Sequence, residues 1–590
     1  MDQFNAINPE DITKIEYSYI TPQRYVDKGY KGMISVTLKK RQDGGQVYLW
    51  ARSAVNATFI DGLIQTSYHK GASQFSVIYN PSWRNDQDAY DNIYGTYTGH
   101  DYELKIEQHD RSPFNYHTHA LRLDYSFVPG DRTLFSVRFA AVPTLSKMRL
   151  TGDVQNSQLG NYTINNSTSS KDFTPSLDLF VRHEFNEKNS IEAQVVGTVS
   201  SSDYRRNNNY LFDDGHNDSY VNNIDNHRRS LISEISYVHN FDQTMRLSGG
   251  VQNTLSHNRN VYLNSANNYN PVLTENNNYI YASFAKQFTK VYLSASTGLK
   301  MFWTRNDQLH RHFIHNMSSV NLAWYISQSW FLQADFGYTP YIPTLSSLTD
   351  YMQQTEPYMF QNGNPNLKVQ ENLTYALTAN FKHKKFSATL KTGYYDFKNS
   401  TTYDITYLGN GKFLSHSVNS DKDNLWMGLL QMGINDVHGF GAQVMLRLRL
   451  FDCHIADWSR SLTSFDATLN LWWNKGPWTI SYYRKFPGKS LNGYQVNKAE
   501  NMDMLQLEYR PDRHWSFGIA WWYMFDKKGG RYPYWNYSPV ANLYIDRYIK
   551  DSSNMVTLSA CYTADFGALF KRNTNRSLNN TDSNNSLLKN

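Results

Sequence analysis

Histidine is the residue type whose spacing in this chain first suggests chemistry. The run His310-Arg311-His312-Phe313-Ile314-His315 sets two imidazoles, His310 and His312, on one face if the segment is a strand, and His117 with His119 repeats the arrangement. A metal centre needs three or four converging ligands with further groups to orient them, and neither pair supplies that many. Both pairs therefore read as polar lumen or loop residues. Two cysteines, Cys453 and Cys561, are too few and too far apart in sequence for their spacing to define a disulfide. There is no Gly-x-Ser-x-Gly, no His-Glu-x-x-His and no phosphate-cradling glycine loop, and the carboxylates are scattered rather than paired. The sequence marks no catalytic residue, cofactor or metal site, and a non-enzymatic protein is expected.

The elements that must carry these residues are strands. Leu121, Leu123, Tyr125 and Phe127 alternate with Ala120, Arg122, Asp124 and Ser126, so one strand face is apolar and the other hydrophilic. The same period of two returns in Ala442, Val444, Leu446, Leu448 and Leu450 against Gln443, Met445, Arg447 and Arg449, and in Leu505, Leu507 and Tyr509 against Gln506, Glu508 and Arg510. Two arginines on one strand face cannot sit unpaired in a dry core, but they can face a wet lumen.

Tight-turn signals recur at 69–72, 129–131, 186–189, 240–244, 286–290, 326–330, 383–385, 435–440, 474–477 and 511–513, each between alternating strands. Ten turns join twenty strands, and one strand at each end, Val47 to Ala57 and Met555 to Asp565, makes twenty-two. Between the hairpins lie long polar stretches such as 202–228 and 254–277, rich in Asn. Short turns alternating with long loops are the pattern of a transmembrane antiparallel β-barrel, with short turns at the periplasmic rim and long loops outside. The fold class expected is thus all-β, a barrel of about 22 strands. Residues 92–110 form a further hairpin outside the membrane, Cys561 faces the lumen of the last strand, and Cys453 falls in a loop.

Composition agrees with a barrel wall. Mean hydropathy is −0.63 and no apolar run approaches the length of a spanning helix, yet 15% of residues are aromatic, led by 44 Tyr. A barrel needs only every second residue apolar, and amphipathic rings collect at the two membrane interfaces. The net charge of +6 is spread along the chain, which excludes the concentrated basic face of a nucleic-acid binder. A soluble propeller or sandwich would lack the short-turn, long-loop rhythm.

The first 44 residues depart from this pattern. Asp11 to Tyr17 reads as a strand, Pro22-Gln23-Arg24-Tyr25 as a turn and Gly32 to Lys40 as a second strand. Here the chain resembles the TonB-dependent outer-membrane receptors, whose plug domain ends on an Ile-Glu strand, a Pro-containing turn and a Gly-rich strand closing on Lys. Pro340-Tyr341-Ile342-Pro343-Thr344-Leu345, then Gly363-Asn364-Pro365-Asn366-Leu367-Lys368, look like that family's loop and Gly-Asn-Pro-x-Leu strand entry. Asp565-Phe566-Gly567 and the tail that follows look like the Bacteroidetes-type outer membrane protein β-barrel branch. Val369 and Gln370 follow Lys368 where the family usually has a proline.

The resemblance implies a domain order of plug remnant at 1–44, barrel at 45–568 and a polar periplasmic tail at 569–590, the last expected to be disordered. Met1-Asp2-Gln3-Phe4-Asn5 offers no signal peptide and no TonB-docking segment is evident, so an N-terminally truncated chain is expected. It also implies uptake of a nutrient, a metal chelate, glycan or peptide, bound by outer loops and drawn in by the TonB complex. Outer-membrane lipids surround such a barrel, and a surface lipoprotein caps some glycan-importing relatives. Ligand contacts would then rest on loop aromatics, and Tyr338, Tyr341, Tyr351, Tyr358 and Phe360 crowd one region suited to stacking on a sugar or aromatic chelator. Girdle or loop packing is the reading that takes precedence for them. A barrel that works without TonB, as a pore or surface-binding protein, is the alternative.

Overall fold

The computed structural model describes residues 12–18, 33–38, 41–130, 132–264, 268–305, 310–569, 576 and 578–582. Ile12–Ser18 and Met33–Leu38 pair antiparallel, with Ile15 opposite Val36. From Arg41 onward the strands close into a barrel of 22 wall strands. All ten expected tight connections join consecutive wall strands. The sheet closes where the first strand, Arg41–Ala54, meets the last, Met555–Leu569, with Gln46 opposite Asp565 and Ala54 opposite Thr557. The wall thus reaches back past the boundary expected at 45.

Alternation in sequence becomes an inside-out distribution of polarity. Leu177 and Leu179 are 48% and 47% exposed on the outer face, while Asp178 between them is 1% exposed. Val195, Val199, Leu231, Ile235, Val251 and Leu255 repeat the apolar exterior, and Gln194, Glu234 and Gln252 are buried on the interior. Soluble monomers do not expose apolar surface on this scale; hydrocarbon is the solvent that this exterior fits. No helix among the described residues is long and apolar enough to cross a membrane, so strands do the crossing.

Several lumenal charges are paired. Arg447 and Arg449 converge on Asp466 at 3.8 and 2.9 Å, Arg122 and Arg138 on Asp124 at 2.6 and 2.5 Å, and Arg52 and Arg84 on Asp61 at 2.7 and 2.8 Å. Each carboxylate bridges two arginines from the same or a neighbouring strand, which offsets the cost of placing cations on a half-buried wall.

Above the membrane the wall continues. The expected hairpin at 92–110 is present as Ala89–Thr98 and Glu103–Arg111, paired to Ala541–Ile549 and to the end of Thr133–Asn156. The stretch 202–228 is not a loop: Asn189–Phe212 and Asn217–Asn240 run through it and turn only at 213–216. Outside the bilayer a strand needs no lipid-facing apolar row, so Asn-rich sequence can pair as well, and Asn208 and Asn226 are fully buried. For the same reason Cys453 is not in a loop. It lies near the end of the Phe440–Ile455 strand, fully buried among Leu491, Tyr494 and Val496 from the extension above it. Cys561 is on the lumenal face as expected, and both thiols are free.

Candidate functional site

Two loops, one after Trp330–Tyr341 and one after Phe386–Lys398, meet above the barrel and make a sheet of their own. Its four strands are Gln353–Glu356, Met359–Asn362, Lys412–Asn419 and Thr401–Gly409, in that order. Thr401–Gly409 and Lys412–Asn419 are a hairpin turned at Asn410-Gly411, where φ is 51° and 72°. Positive φ at both turn residues is what Asn-Gly tolerates and what the twist of a two-residue hairpin requires. The two loops join through a parallel pairing, Met359 opposite Phe413 and Asn362 opposite His416.

An aromatic core fastens this sheet to the wall extension. Phe413 is fully buried, with Tyr97 at 5.2 Å and Tyr407 at 5.1 Å between ring centroids, and Tyr358 meets Tyr97 edge-on at 5.2 Å. Leu104, Ile106, Ile405, Ala541 and Leu543 complete the cluster. A few strands along the wall, the Tyr210 hydroxyl donates to the Thr355 carbonyl at 2.9 Å, and the Asn222 amide donates to the Gln354 carbonyl at 3.2 Å. Tyr351 stacks on Tyr269 at 5.1 Å and lies 5.4 Å from Tyr262. The loop sheet is therefore a cover docked at several points on the wall extension.

A cavity of about 490 Å³ lies between cover and wall. Gln361, Tyr403, Ile405 and Ser415 line it from the cover; Gln495, Asn497, Tyr532, Tyr534, Asn536, Leu543, Ile545 and Arg547 line it from the wall. Its volume is in the range of small-molecule sites, and its surface combines ring faces with amides and one guanidinium. Arg547 is held by Asp91 in a fork of 2.7 and 3.0 Å, so its charge is positioned but partly neutralised. Two carboxyls nearby are unusual. Burial pushes Glu356 up to about 7, against the opposing pull of Arg206 and a hydrogen bond from Tyr210. Burial also pushes Asp110 up to about 7, opposed by a hydrogen bond from Gln108 and reinforced by the negative charges of Glu356 and Asp91.

The five aromatics singled out in the sequence are not brought together. Tyr338 lies on a wall strand, and Tyr341 is exposed at that strand's end. Tyr351 and Tyr358 are packing residues of the cover, and Phe360 is half-buried in the Met359–Asn362 strand. The Gly363-Asn364-Pro365-Asn366-Leu367 motif clasps the cover's root. Gly363 and Asn364 donate backbone hydrogen bonds of 2.6 Å each to the carbonyls of Thr349 and Ser347, beside the short helix Leu345–Leu348. Leu367 is fully buried against Leu348, and its carbonyl accepts from Arg311 at 2.6 Å. A Cβ on Gly363 would lie 2.5–2.6 Å from three carbonyl oxygens, which explains the glycine.

His310 and His312 are both exposed on one strand face, and His119 meets the Tyr79 hydroxyl at 2.7 Å while His117 stacks on Trp83 at 5.0 Å. Among the described residues no group of three or more His, Cys, Asp or Glu is placed to hold a metal ion. The residues that sequence reasoning missed are those of the cavity, Tyr403, Tyr532, Tyr534 and Arg547 among them. Asn410-Gly411 between two alternating runs was a signal for part of it.

A closed 22-strand wall, apolar outside and polar within, with a folded cover over its outer mouth, is an outer-membrane β-barrel. More narrowly, residues 183–435 match the model of the outer membrane protein beta-barrel family. Three solved structures share the fold at low sequence identity. The copper transporter OprC is 13% identical with a TM-score of 0.66, over 95% of this chain and 87% of that one. A mutant of the ferric enterobactin receptor from Pseudomonas aeruginosa is 13% identical with a TM-score of 0.61, over 95% and 86%. The ferric-catecholate import receptor Fiu from E. coli K12 is 12% identical with a TM-score of 0.59, over 90% and 84%. No curated protein sequence matches the chain.

Proposed function

We propose that this chain is the barrel of a TonB-dependent importer that binds a nutrient, a metal chelate, glycan or peptide, beneath the cover of its outer mouth. The observation that carries the reading is the cavity of about 490 Å³ between the loop sheet and the wall, lined by Tyr403, Tyr532, Tyr534 and an arc of amides. Rings and amides recognise flat or polyhydroxylated ligands by stacking and hydrogen bonding, and a positioned Arg547 adds affinity for an anionic edge. Support also comes from fold neighbours, which include a copper transporter, a ferric enterobactin receptor and a ferric-catecholate import receptor. The paired strands Ile12–Ser18 and Met33–Leu38 suit the closing hairpin of a plug.

The test is a titration of the purified chain in detergent with a ferric catecholate, a linear oligosaccharide and a short peptide, followed by tryptophan fluorescence. One class should bind, and Tyr403→Ala or Tyr532→Ala should weaken it about 10-fold or more, in line with the loss of an aromatic anchor. Equal binding by wild type and both variants would remove the cavity as the site. Uptake into cells that persists after the proton-motive force is collapsed would remove the TonB-dependent part and leave a passive barrel.

A further inference from the structure

The last wall strand ends at Leu569 on the short-turn rim, yet the described residues beyond it lie against the lumenal wall. Arg576 donates to both carboxylate oxygens of Asp178 at 2.8 Å, with the two side chains 4% and 1% exposed, and its guanidinium lies 4.5 Å from the centre of the Phe180 ring. Leu578 is fully buried against Val128, Leu134 and Phe180. Arg228 donates to both oxygens of Asp582 at 3.0 and 2.8 Å, both side chains 7% exposed, and Ser230 adds a further hydrogen bond.

These contacts are spread along the lumenal wall. Asp178 is opposite Val196, and Val196 is opposite Ile232, so Arg228 stands four residues further toward the outer mouth than the row holding Asp178. That is about 13 Å along the strand, a distance that the six steps from Arg576 to Asp582 can span. The tail offers a cation, an apolar side chain and an anion, and each meets its complement on the wall: Asp178, the apolar pocket on the short-turn side of Asp178, and Arg228 toward the outer mouth. A solvated polar tail has no reason to match a wall in this way; a docked ligand does.

We propose that residues 576 and 578–582 act as a lumenal latch: the wall carries a built binding site for these residues of its own chain, and once seated they narrow the channel until they are released. The latch acts on passage through the lumen, not on capture at the mouth, so its failure would leave the cargo reading untouched.

Planar-bilayer conductance of the whole chain tests it. Deleting the residues after Leu569, or making Arg576→Asp, should raise single-channel conductance or open probability several-fold. Asp178→Arg alone should do the same, and the double variant Asp178→Arg with Arg576→Asp should return toward wild type. Heat-modifiable migration on a denaturing gel confirms that each variant has folded, independently of conductance. Folded variants with unchanged conductance, or a double variant no closer to wild type than the singles, would overturn the latch.

Discussion

At the residue scale, the buried Glu356 of the cover predicts that its docking depends on pH, with Asp110 of the wall beside it. Burial raises both carboxyls to about 7, well above their ordinary values of 4.5 and 3.8. The docked cover therefore binds more protons than the undocked one between about pH 4 and pH 7. Docking is fully favoured below that window, is lost progressively as pH rises through it, and is flat above. Hydrogen exchange in residues 353–362 and 401–419, corrected for intrinsic rates, should show stronger protection at pH 5 than at pH 8, and Glu356→Gln should flatten the difference. Protection that is equal or greater at pH 8 would show that these carboxyls do not control the cover. A second residue-scale expectation concerns Phe413, fully buried in the aromatic core. Phe413→Ala should destabilise cover docking by about 3–5 kcal/mol, seen as loss of protection confined to the same segments, with the barrel's heat-modifiability unchanged.

Among the elements, legibility divides at the membrane boundary. Within the bilayer one row of each strand must be apolar and the other may be polar, so Leu121 to Phe127 or Leu505 to Tyr509 disclose their structure at sight. Above it the constraint lapses, and the Asn-rich run through 202–228 pairs as strands that no period of two announces. The cover was less legible still, because the parallel match of Met359 with Phe413 is non-local, although Asn410-Gly411 marked one of its hairpins. Tyr351 and Tyr358 stood out as aromatics, but only the fold shows that they are spent on packing while Tyr532 and Tyr534, far along the chain, face the cavity. The clasp at Gly363 gives a prediction for the element as a whole. Gly363→Ala has no room beside three carbonyl oxygens, and should release the root of the cover, raising proteolytic cutting in 342–369 several-fold while the wall stays resistant.

For the whole molecule, the inside-out polarity sets what substitutions the wall accepts. Leu177→Arg on the apolar exterior should cost about 2–4 kcal/mol if it sits near the bilayer midplane, measured by reversible unfolding in lipid vesicles. Ser176→Arg, one residue away on the lumenal face, should cost far less, and a similar cost for both would contradict the assignment of faces.

The seam between Arg41–Ala54 and Met555–Leu569 joins parts of the chain more than 500 residues apart. Loop-closure entropy and long sequence separation make such a pairing slow, so it is the natural last event in assembly. Arg576, Leu578 and Asp582 are delivered into the lumen from the end of that final strand. They have no enclosed surface to settle on until the ring is complete. Seating of the tail is then a timestamp as well as a contact, reporting that the sheet has finished becoming a cylinder.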